Sequence, residues 1–396
     1  MSNLKIFSEN IKINNKRVIV RLDLNVPISK SSIEDSTRIE MIEPFINQLI
    51  EKKAKIILIS HLGRPKGKVV KEMSLNPIFN YLQKSLNSKV YFYKDKIDQN
   101  AIDASNNLKQ GEVLLIENIR FFKEEEDDNE NFAKNLSKLG DFYINEAFSC
   151  SHRKQASLHK ITNYIDSYGG PLLDKETQSI NLIIKNKKEP VTSIIGGSKV
   201  STKINVLLNL SKNTNNLVIV GAMANNFLKF NGLNVGASLL EKGAEDIIKS
   251  IYSSAEKNNC NIIIPIDCIV SNDLNGLPKP KSLSEIKSED IILDIGEKTI
   301  ELINKTIELS KTVFWNGPAG YFENKNFSKG TLSIAKKISS DTDTKSLISI
   351  VGGGDTIAAI KNVEFRKVFT HLSTAGGAFL ESIEGKELPG IKVLKK

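Results

Sequence analysis

A glycine-rich segment at residues 352–356, Gly-Gly-Gly-Asp-Thr, carries the strongest chemical signal in this chain of 396 residues. An apolar run at 347–351 precedes it, and helix-favouring residues at 357–360 follow it. A strand, a glycine turn and a helix start in this order present backbone N–H groups to an anion such as phosphate. Asp355 would repel a bare phosphate, so the segment indicates a bridging divalent cation, most simply Mg²⁺. The alternative is an ordinary strand-to-helix turn in which Asp355 only caps the helix.

Basic side chains follow the predicted strands of the first half of the chain. They stand in the segments RLDLNVP at 21–27, SHLGRP at 60–65, ENIRF at 117–121 and SHR at 151–153, and Arg38 opens a predicted helix. A guanidinium group stays charged and matches phosphate or carboxylate oxygens in pairs. Taken singly, each arginine could be a solvated or ion-paired surface group. Together they predict a pocket for a small polyanion, lined by Arg38, Arg64, Arg120, Arg153 and His61.

Glycine turns and lysines mark the second half. In GGSKVSTK at 196–203, Lys199 and Lys203 are four residues apart, which predicts one helical face and favours a nucleotide phosphate between them. The alternative is two exposed lysines on a capped helix. Glu323, at the end of WNGPAGYFE, could accept hydrogen bonds from a ribose or be a plain surface carboxylate. Gly376, in TAGG at 374–377, is expected to open another helix and to offer backbone donors to a transferring phosphoryl group.

The common nucleotide-binding and nucleophile motifs are missing from the sequence. It has no Walker A motif, no GxGxxG after a strand and no protein-kinase catalytic loop. It also shows no convincing nucleophile–base pair. Phosphoryl transfer to or from a carboxylate needs no base, because the attacking oxygen is already ionised near pH 7.

Composition and charge describe an ordinary globular protein. Hydrophobic residues make up 40% and charged residues 26%, and the length favours two domains. The net charge of +9 suits anionic ligands, but the lysines are scattered, so we expect no nucleic-acid binding. Cys150, Cys260 and Cys268 are too few for a disulfide framework or a zinc site. Without a signal peptide or a membrane-length apolar run, we expect a cytoplasmic protein with no membrane partner.

Short apolar strands alternate with longer amphipathic helices, which predicts an α/β fold with mainly parallel sheets. The acidic run at 124–128 is expected to be a solvated helix start. We predict a first domain at 1–171, a connecting helix at 172–189, a second domain at 190–384 and a tail at 385–396 that could pack back on either half. The predicted strands are 17–22, 55–60, 113–116, 142–144, 191–195, 216–220, 261–265, 312–315 and 346–351. The predicted helices are 39–53, 77–86, 131–139, 203–211 and 327–338.

Six segments together resemble the hallmark stretches of the phosphoglycerate kinase family, in the family's order and across essentially the whole chain. They are RLDLNVP, SHLGRP, ENIRF, GGSKV, WNGP and GGGDT. The resemblance implies two Rossmann-like three-layer αβα domains joined by a helix and hinge, with the tail returning to the first domain. It also implies reversible transfer of the 1-phosphoryl group of 1,3-bisphosphoglycerate to ADP with Mg²⁺, giving 3-phosphoglycerate and ATP.

The same resemblance implies roles for individual residues. Arg38, Lys199, Lys203 and Gly376 would act on the transferring phosphoryl group, and Asp355 would hold Mg²⁺. The implied triose-phosphate residues are Asp23, Leu24, Asn25, Arg38, His61, Leu62, Gly63, Arg64, Arg120 and Arg153. The implied nucleotide residues are Lys203, Glu323, Gly353, Gly354, Asp355 and Thr356.

The chain departs from the usual family pattern in its loops. Gln155 stands where a second histidine is usual, Glu146 where aspartate is common and Ala375 where glycine is frequent. None of these changes removes a charge assigned to a substrate, so we expect an active enzyme and, by default, a monomer. With the two substrates on separate domains, we expect hinge closure that excludes water. Another carboxylate kinase of the acetate or carbamate type, or a non-catalytic anion-binding protein, remains an alternative.

Overall fold

The computed structural model describes residues 4–29, 32–361 and 368–395 and divides into two compact units. Unit 1 consists of Met1–Thr177 with Glu387–Lys396, and unit 2 consists of Gln178–Lys386. The division falls inside the helix Pro171–Ile184, within the stretch predicted to connect the domains. None of the described helices is long and apolar enough to cross a lipid bilayer.

Strands and helices alternate along most of the described chain. The strands are β1 (Arg17–Arg21), β2 (Ile28–Ser29), β3 (Ser32–Ile33), β4 (Lys55–Ile59), β5 (Val90–Tyr93), β6 (Val113–Ile116), β7 (Phe142–Asn145), β8 (Asp166–Gly169), β9 (Val191–Ile195), β10 (Asn216–Ile219), β11 (Asn261–Ile263), β12 (Asp267–Ser271), β13 (Lys279–Ser282), β14 (Ile291–Ile295), β15 (Thr312–Asn316), β16 (Ile348–Gly352) and β17 (His371–Ser373). The helices are α1 (Thr37–Glu51), α2 (Asn76–Ser85), α3 (Gln99–Asn106), α4 (Lys123–Glu126), α5 (Glu130–Ser137), α6 (Pro171–Ile184), α7 (Ile204–Asn213), α8 (Ala224–Phe230), α9 (Glu245–Lys257), α10 (Glu297–Glu308), α11 (Lys329–Lys345), α12 (Gly354–Ala359), α13 (Gly377–Ile383) and α14 (Pro389–Lys392).

The sheet of unit 1 is parallel and has the strand order β5-β6-β4-β1-β7-β8. Its central strands are apolar and buried, as expected for a sheet covered on both faces. β1 pairs in register with both β4 and β7, so Arg21 lies opposite Ile59 on one side and Asn145 on the other. The loops after these strands therefore start side by side, and they include the segments expected to bind the polyanion.

Unit 2 repeats this architecture with a second parallel sheet of order β11-β10-β9-β15-β16-β17. Asn316 at the end of β15 pairs with Ile195 of β9 and with Gly352 of β16. The three glycine-containing turns that follow these strands begin at the same edge of the sheet. This is the edge at which ligands bind in open α/β sheets.

The α/β class and the parallel sheets predicted from the sequence are confirmed, and each predicted strand overlaps an observed one. The sequence did not predict the antiparallel sheet β13-β12-β14 in unit 2. β13 reads Lys-Pro-Lys-Ser and is exposed or half-buried along its length, so it lacks the apolar pattern by which strands are recognised. The edge strands β5, β8 and β17 were also missed.

The start of α6 is held by a buried carboxylate. Glu146, directly after β7, accepts hydrogen bonds from the backbone N–H groups of Leu172 and Leu173, at 3.1 and 3.0 Å. Burial raises the pKa of Glu146 to about 7, although both hydrogen bonds favour the ionised form. A Cβ on Gly170 would lie 2.3 Å from the Glu146 carboxyl carbon, so the close approach requires glycine there.

The C-terminal segment packs within unit 1. The N–H of Lys5 donates to Leu394 O at 2.8 Å, and the N–H of Gly390 donates to Ser151 O at 2.9 Å. Leu388 and Ile391 are buried. The tail thus touches the loop that carries the SHR segment.

Candidate active site

Asp23 and Arg38 form the centre of the basic cluster in unit 1. Asp23 follows β1, and Arg38 is the second residue of α1; the Arg38 guanidinium donates to the Asp23 carboxylate and, at 3.3 Å, to Asn25 O. Ser149 Oγ also donates to Asp23, as does the Asn25 N–H at 3.0 Å. Burial opposes ionisation of Asp23, but the positive charge of Arg38 and these hydrogen bonds keep its pKa below the usual value. An ionised Asp23 therefore orients Arg38, whose side chain remains 32% exposed and able to meet a ligand.

A chain of hydrogen bonds joins this pair to the loops after β4 and β6. Asn25 Oδ1 accepts from the Gly63 N–H at 2.9 Å, and Gly63 O accepts from Arg120 Nη1 at 2.8 Å. Asn118 donates through its amide to Leu62 O at 2.7 Å and accepts from the Arg120 N–H at 3.1 Å. Arg120 is 3% exposed, and its Nε has no hydrogen-bond partner among the described residues. The residues predicted from three separate segments therefore converge.

His61 is buried beside Cys150, with both ring nitrogens 3.8 Å from the sulfur. Burial holds the pKa of His61 well below its usual value. The positive charges of Arg21, Arg120 and Arg38 lower this pKa further, whereas the negative charge of Asp23 raises it. The imidazole is therefore neutral near pH 7. It can offer one N–H and one acceptor to a ligand, but no charge.

The residues Asp23, His61 and Cys150 present potential metal-ligand atoms within 4.8 Å of one another. The positive charges of three guanidinium groups, those of Arg21, Arg120 and Arg38, also act on His61. A cation would meet their repulsion, whereas an anion would meet their attraction. The cluster therefore suits a phosphate or carboxylate better than a metal ion.

A buried network lies next to these residues and corrects one prediction. Arg21 is fully buried; its Nε donates to Ser157 Oγ at 2.9 Å, and Ser157 Oγ donates to Glu125 at 2.6 Å. Glu125 also accepts from the Ser157 N–H at 2.8 Å, and burial raises its pKa. The expectation of a solvated acidic run at 124–128 is thus wrong at Glu125, because α4 is a four-residue turn that directs this side chain toward Arg21 and Ser157.

The other two predicted arginines are more accessible. Arg64 is exposed and forms no ion pair with any described residue, while Arg153 is half-buried with its Nε 3.3 Å from His152 Nε2. The charge of Arg153 contributes to lowering the pKa of Arg120, after the effect of burial and that of Arg21. Unit 1 therefore brings Arg120 and Arg153 together and leaves Arg64 at the surface.

In unit 2, the glycine turn after β16 is fastened to the turn after β15. Gly353 has φ +102°, which favours glycine, and a Cβ there would lie 2.7 Å from Asn316 Nδ2. Asn316 Nδ2 donates to Gly352 O at 2.9 Å, and Thr356 Oγ1 accepts from the Gly317 N–H at 2.7 Å. Thr356 is buried and its hydroxyl also donates to Gly352 O. Its side chain therefore fixes the turn, leaving its backbone N–H as the group that could face a phosphate.

Lys203 is directed into these turns. Its Nζ donates to Gly196 O at 2.6 Å and to Asn316 Oδ1 at 2.7 Å. Burial lowers the pKa of Lys203 to about 8, and the charge of Asp355 opposes the shift. The predicted single helical face for Lys199 and Lys203 is wrong, because a 3-10 turn occupies Ser201–Lys203 and α7 begins only at Ile204. Lys199 instead lies exposed in the preceding loop.

These turns border a cavity of about 430 Å³ within unit 2. Asp355 and Glu323, both exposed carboxylates, line it together with Gly197, Gly221 and Pro318. The Asp355 oxygens are the hard ligands that Mg²⁺ prefers. Gly376, the N-cap of α13, has φ +55° and nothing within 4 Å of a built Cβ, so its conformation rather than crowding requires glycine.

Comparison with known proteins shows the family of this chain. The family model of phosphoglycerate kinase matches residues 8–386. Phosphoglycerate kinases of Wolbachia pipientis wMel and Bartonella bacilliformis are 43% and 44% identical, with 98% and 96% of both chains covered. The structure resembles phosphoglycerate kinase from Coxiella burnetii, with a TM-score of 0.91, 37% identity and 98% of each chain covered. That from Pyrococcus horikoshii OT3 gives a TM-score of 0.82 at 28% identity, again covering 98% of each chain.

The chain belongs to the phosphoglycerate kinase family. It catalyses reversible phosphoryl transfer between 1,3-bisphosphoglycerate and ADP, with Mg²⁺, in glycolysis. The expected enzyme class, substrates and nucleotide are thereby confirmed.

The departures from the phosphoglycerate kinase pattern have different structural settings. Gln155 is buried and its Oε1 has no hydrogen-bond partner among the described residues. Glu146 reaches the start of α6, as described above. Ala375 is buried beside Gly376, and its N–H donates to Ser373 Oγ at 3.3 Å. None of these three residues is one of the basic side chains of the cluster.

Sequence reasoning missed several residues that hold the site together. Asn316 lies in the WNGP segment, which by itself indicates no role for it, although it binds both Lys203 and Gly352. Ser149, which donates to Asp23, lies next to the SHR segment. The sequence offered one signal for Asn316 and Ser149, their proximity to recognised motifs, because the residues that they bind lie far away in the sequence.

Proposed function

We propose that unit 1 binds 3-phosphoglycerate or 1,3-bisphosphoglycerate and that unit 2 binds MgADP or MgATP. The corresponding domains are 1–171 with the tail 385–396, and 190–384, joined by 172–189. The proposed triose-phosphate residues are Asp23, Leu24, Asn25, Arg38, His61, Leu62, Gly63, Arg64, Arg120 and Arg153. The proposed nucleotide residues are Lys203, Glu323, Gly353, Gly354, Asp355 and Thr356.

The observation that carries this proposal is the contrast between the two clusters. In unit 1, Arg38 is oriented by an ionised Asp23 and linked through Asn25 and Gly63 to Arg120. In unit 2, Lys203 donates to Gly196 O at the sheet edge where the glycine turns begin, and the accessible Asp355 lines the adjoining cavity. The first offers fixed cations to a small polyanion. The second offers backbone donors, a cation and a metal ligand to a nucleotide.

In the proposed reaction, a carboxylate oxygen of 3-phosphoglycerate attacks the terminal phosphorus of ATP. The new P–O bond forms as the bond from phosphorus to the bridging oxygen of ADP breaks, and no proton is transferred. Arg38, Lys199 and Lys203, with the backbone N–H groups around Gly376, neutralise charge on the equatorial oxygens. Asp355 would hold Mg²⁺, which neutralises phosphate charge when bound. The residues act by position and charge, consistent with the lack of a general base.

A binding and turnover experiment tests the assignment. We expect turnover with ATP, Mg²⁺ and 3-phosphoglycerate and none with acetate or carbamate as acceptor. In calorimetry, Arg38→Ala should weaken 3-phosphoglycerate binding and leave MgADP binding unchanged, whereas Asp355→Asn should do the reverse. Loss of both affinities in either variant would contradict the division of the substrates between the units.

We also propose that the enzyme is a cytoplasmic monomer. The support is membership of a family of soluble glycolytic enzymes. Size-exclusion chromatography with light scattering gives the oligomeric state, and a dimer mass would contradict this proposal. Fractionation of cells expressing the protein tests the location.

A further inference from the structure

The position of Lys199 depends on the backbone of its loop. The side chain is exposed and forms no hydrogen bond, and no ion pair within 4 Å, with another described residue. A free lysine side chain has many rotamers, so a loop that shifts would move the ammonium group away from a reacting phosphoryl. The residues that hold this loop therefore bear on catalysis.

The first end of the loop is bound to the start of α8. Gly197 O accepts a hydrogen bond from the N–H of Met223 at 2.8 Å. Gly197 has φ +141°, and a Cβ on Gly221 would lie only 3.0 Å from Gly197 N. This end is consequently set by tight backbone packing against the residues that lead into α8.

The second end is held by Glu241. Its carboxylate accepts from the Ser201 N–H at 3.0 Å and from Ser201 Oγ. The N–H of Glu241 itself donates at 2.8 Å to Oδ1 of Asn226, which is buried on α8. Ser201 is only two residues from Lys199, so α8 holds both ends of the lysine loop, directly at Gly197 and through Glu241 at Ser201.

The charge of Glu241 complements this tether. The hydrogen bonds from Ser201 lower the pKa of Glu241, and the positive charge of Lys199 contributes in the same direction. Glu241 is therefore ionised near pH 7 and attracts the Lys199 ammonium without pairing with it within 4 Å. Lys199 is kept near the loop but remains able to meet a phosphoryl group.

We propose that Glu241 is a positioning residue for Lys199, acting through the hydrogen bonds that it accepts from Ser201. This inference rests on the proposed role of Lys199 in phosphoryl transfer. Glu241 itself contacts neither substrate in this proposal. Removal of the Glu241 carboxylate should therefore lower kcat while leaving the KM values for MgATP and 3-phosphoglycerate nearly unchanged.

The test compares Glu241→Ala with Glu245→Ala, an exposed glutamate at the start of α9. We expect Glu241→Ala to lower kcat by about 10- to 100-fold, as for a misplaced catalytic group, and Glu245→Ala to leave it unchanged. Ser201→Ala should give a smaller loss. Glu241→Gln, which keeps an acceptor oxygen, should recover part of the activity. Thermal unfolding of each variant identifies any that fail to fold.

The deciding measurement is the double variant with Lys199→Ala. If Glu241 acts through Lys199, adding Glu241→Ala to Lys199→Ala causes no further loss of kcat. The positioning role is overturned if Glu241→Ala lowers kcat equally in the wild-type and Lys199→Ala backgrounds, or if it changes KM alone. If Lys199→Ala is impaired but Glu241→Ala is not, only this inference fails. If the Lys199→Ala variant turns over normally, both the proposed role of Lys199 and the positioning role of Glu241 are contradicted.

Discussion

At the scale of single residues, neighbouring hydrogen bonds and ion pairs hold the charged groups of the proposed site in place. Arg38 meets an ionised Asp23, and Lys203 meets two oxygens, Gly196 O and Asn316 Oδ1. His61 is neutral because of burial and the surrounding guanidinium groups. These settings suit phosphoryl transfer to a carboxylate, in which positioning and charge neutralisation supply most of the rate.

Arg38→Ala should reduce kcat strongly with the fold intact. Positioned cations at a transferring phosphoryl group contribute on the order of 10³–10⁵ in rate in related enzymes. Arg38→Lys keeps the charge but loses the planar fork, so we expect an intermediate loss. Steady-state kinetics with thermal unfolding as the folding control measures both. Near-normal turnover by Arg38→Ala would remove this residue from the reaction.

Lys203 should make nucleotide binding sensitive to alkaline pH. Its pKa is lowered to about 8 by burial, and a phosphate binds the protonated ammonium. As the pH rises above about 8, Lys203 loses its proton and the affinity for MgADP should fall, by at most about tenfold per pH unit. Calorimetry between pH 7 and 10, values chosen to bracket that pKa, follows this change.

Lys203→Arg serves as the comparison, because arginine stays charged throughout this range. Its MgADP affinity should vary less with pH than that of the wild-type chain. The same alkaline loss in both proteins would assign the pH dependence to another group.

At the scale of elements, the glycine turns between strands and helices decide where ligand-facing groups lie. β9, β15 and β16 are adjacent and in register, so their turns meet. Asn316 and Thr356 then tie these turns to one another. The α12 helix has only six residues, so the backbone geometry of the turn matters more than a helix dipole.

Gly353→Ala and Gly354→Ala should separate backbone strain from ligand contact. Gly353 has φ +102° and a Cβ would crowd Asn316, so we expect Gly353→Ala to lower the free energy of unfolding by about 1–3 kcal/mol. A Cβ on Gly354 meets nothing within 4 Å, so its substitution should leave stability nearly unchanged. Denaturant unfolding measures stability, and calorimetry measures MgADP affinity.

If the phosphates lie against this turn, both alanine variants bind MgADP more weakly, although only one is destabilised. Normal affinity in the Gly354→Ala variant would place the phosphates elsewhere. Equal destabilisation of the two variants would contradict the strain argument.

At the scale of the whole molecule, the chain forms two units with separate parallel sheets. The proposed substrates bind to different units, and in-line transfer requires their reacting atoms to come within bonding distance. Transfer between ligands bound in this way predicts hinge closure when both substrates are present. Exclusion of water at that point would limit wasteful hydrolysis of ATP.

Small-angle X-ray scattering should detect this closure as a smaller radius of gyration with 3-phosphoglycerate and a nonhydrolysable MgATP analogue together. Either ligand alone should have a lesser effect, because neither then bridges the two sites. The Arg38→Ala variant, with weakened triose-phosphate binding, provides the control. An unchanged radius in the presence of both ligands would rule out closure.

The sequence by itself determined the α/β class, the main strands and the motifs of both sites. Strand and helix periodicity is local, so β1, β4, β9 and β16 could be predicted from runs of a few residues. The motif residues follow strands, and strands of a parallel sheet end at one edge, so their convergence was also predictable. The antiparallel β13 was not, because its pattern is polar and exposed.

Only the tertiary structure decided which distant residues hold the motifs in place. Lys203 and Asn316 are 113 positions apart, and Ser201 and Glu241 are 40 apart. Glu125 reads as one of several acidic surface residues, yet it is buried against Ser157. Such contacts follow from how elements pack, since no local spacing links their partners. Local sequence patterns therefore predict which residues carry the chemistry, whereas tertiary packing sets the positions and protonation states of those residues.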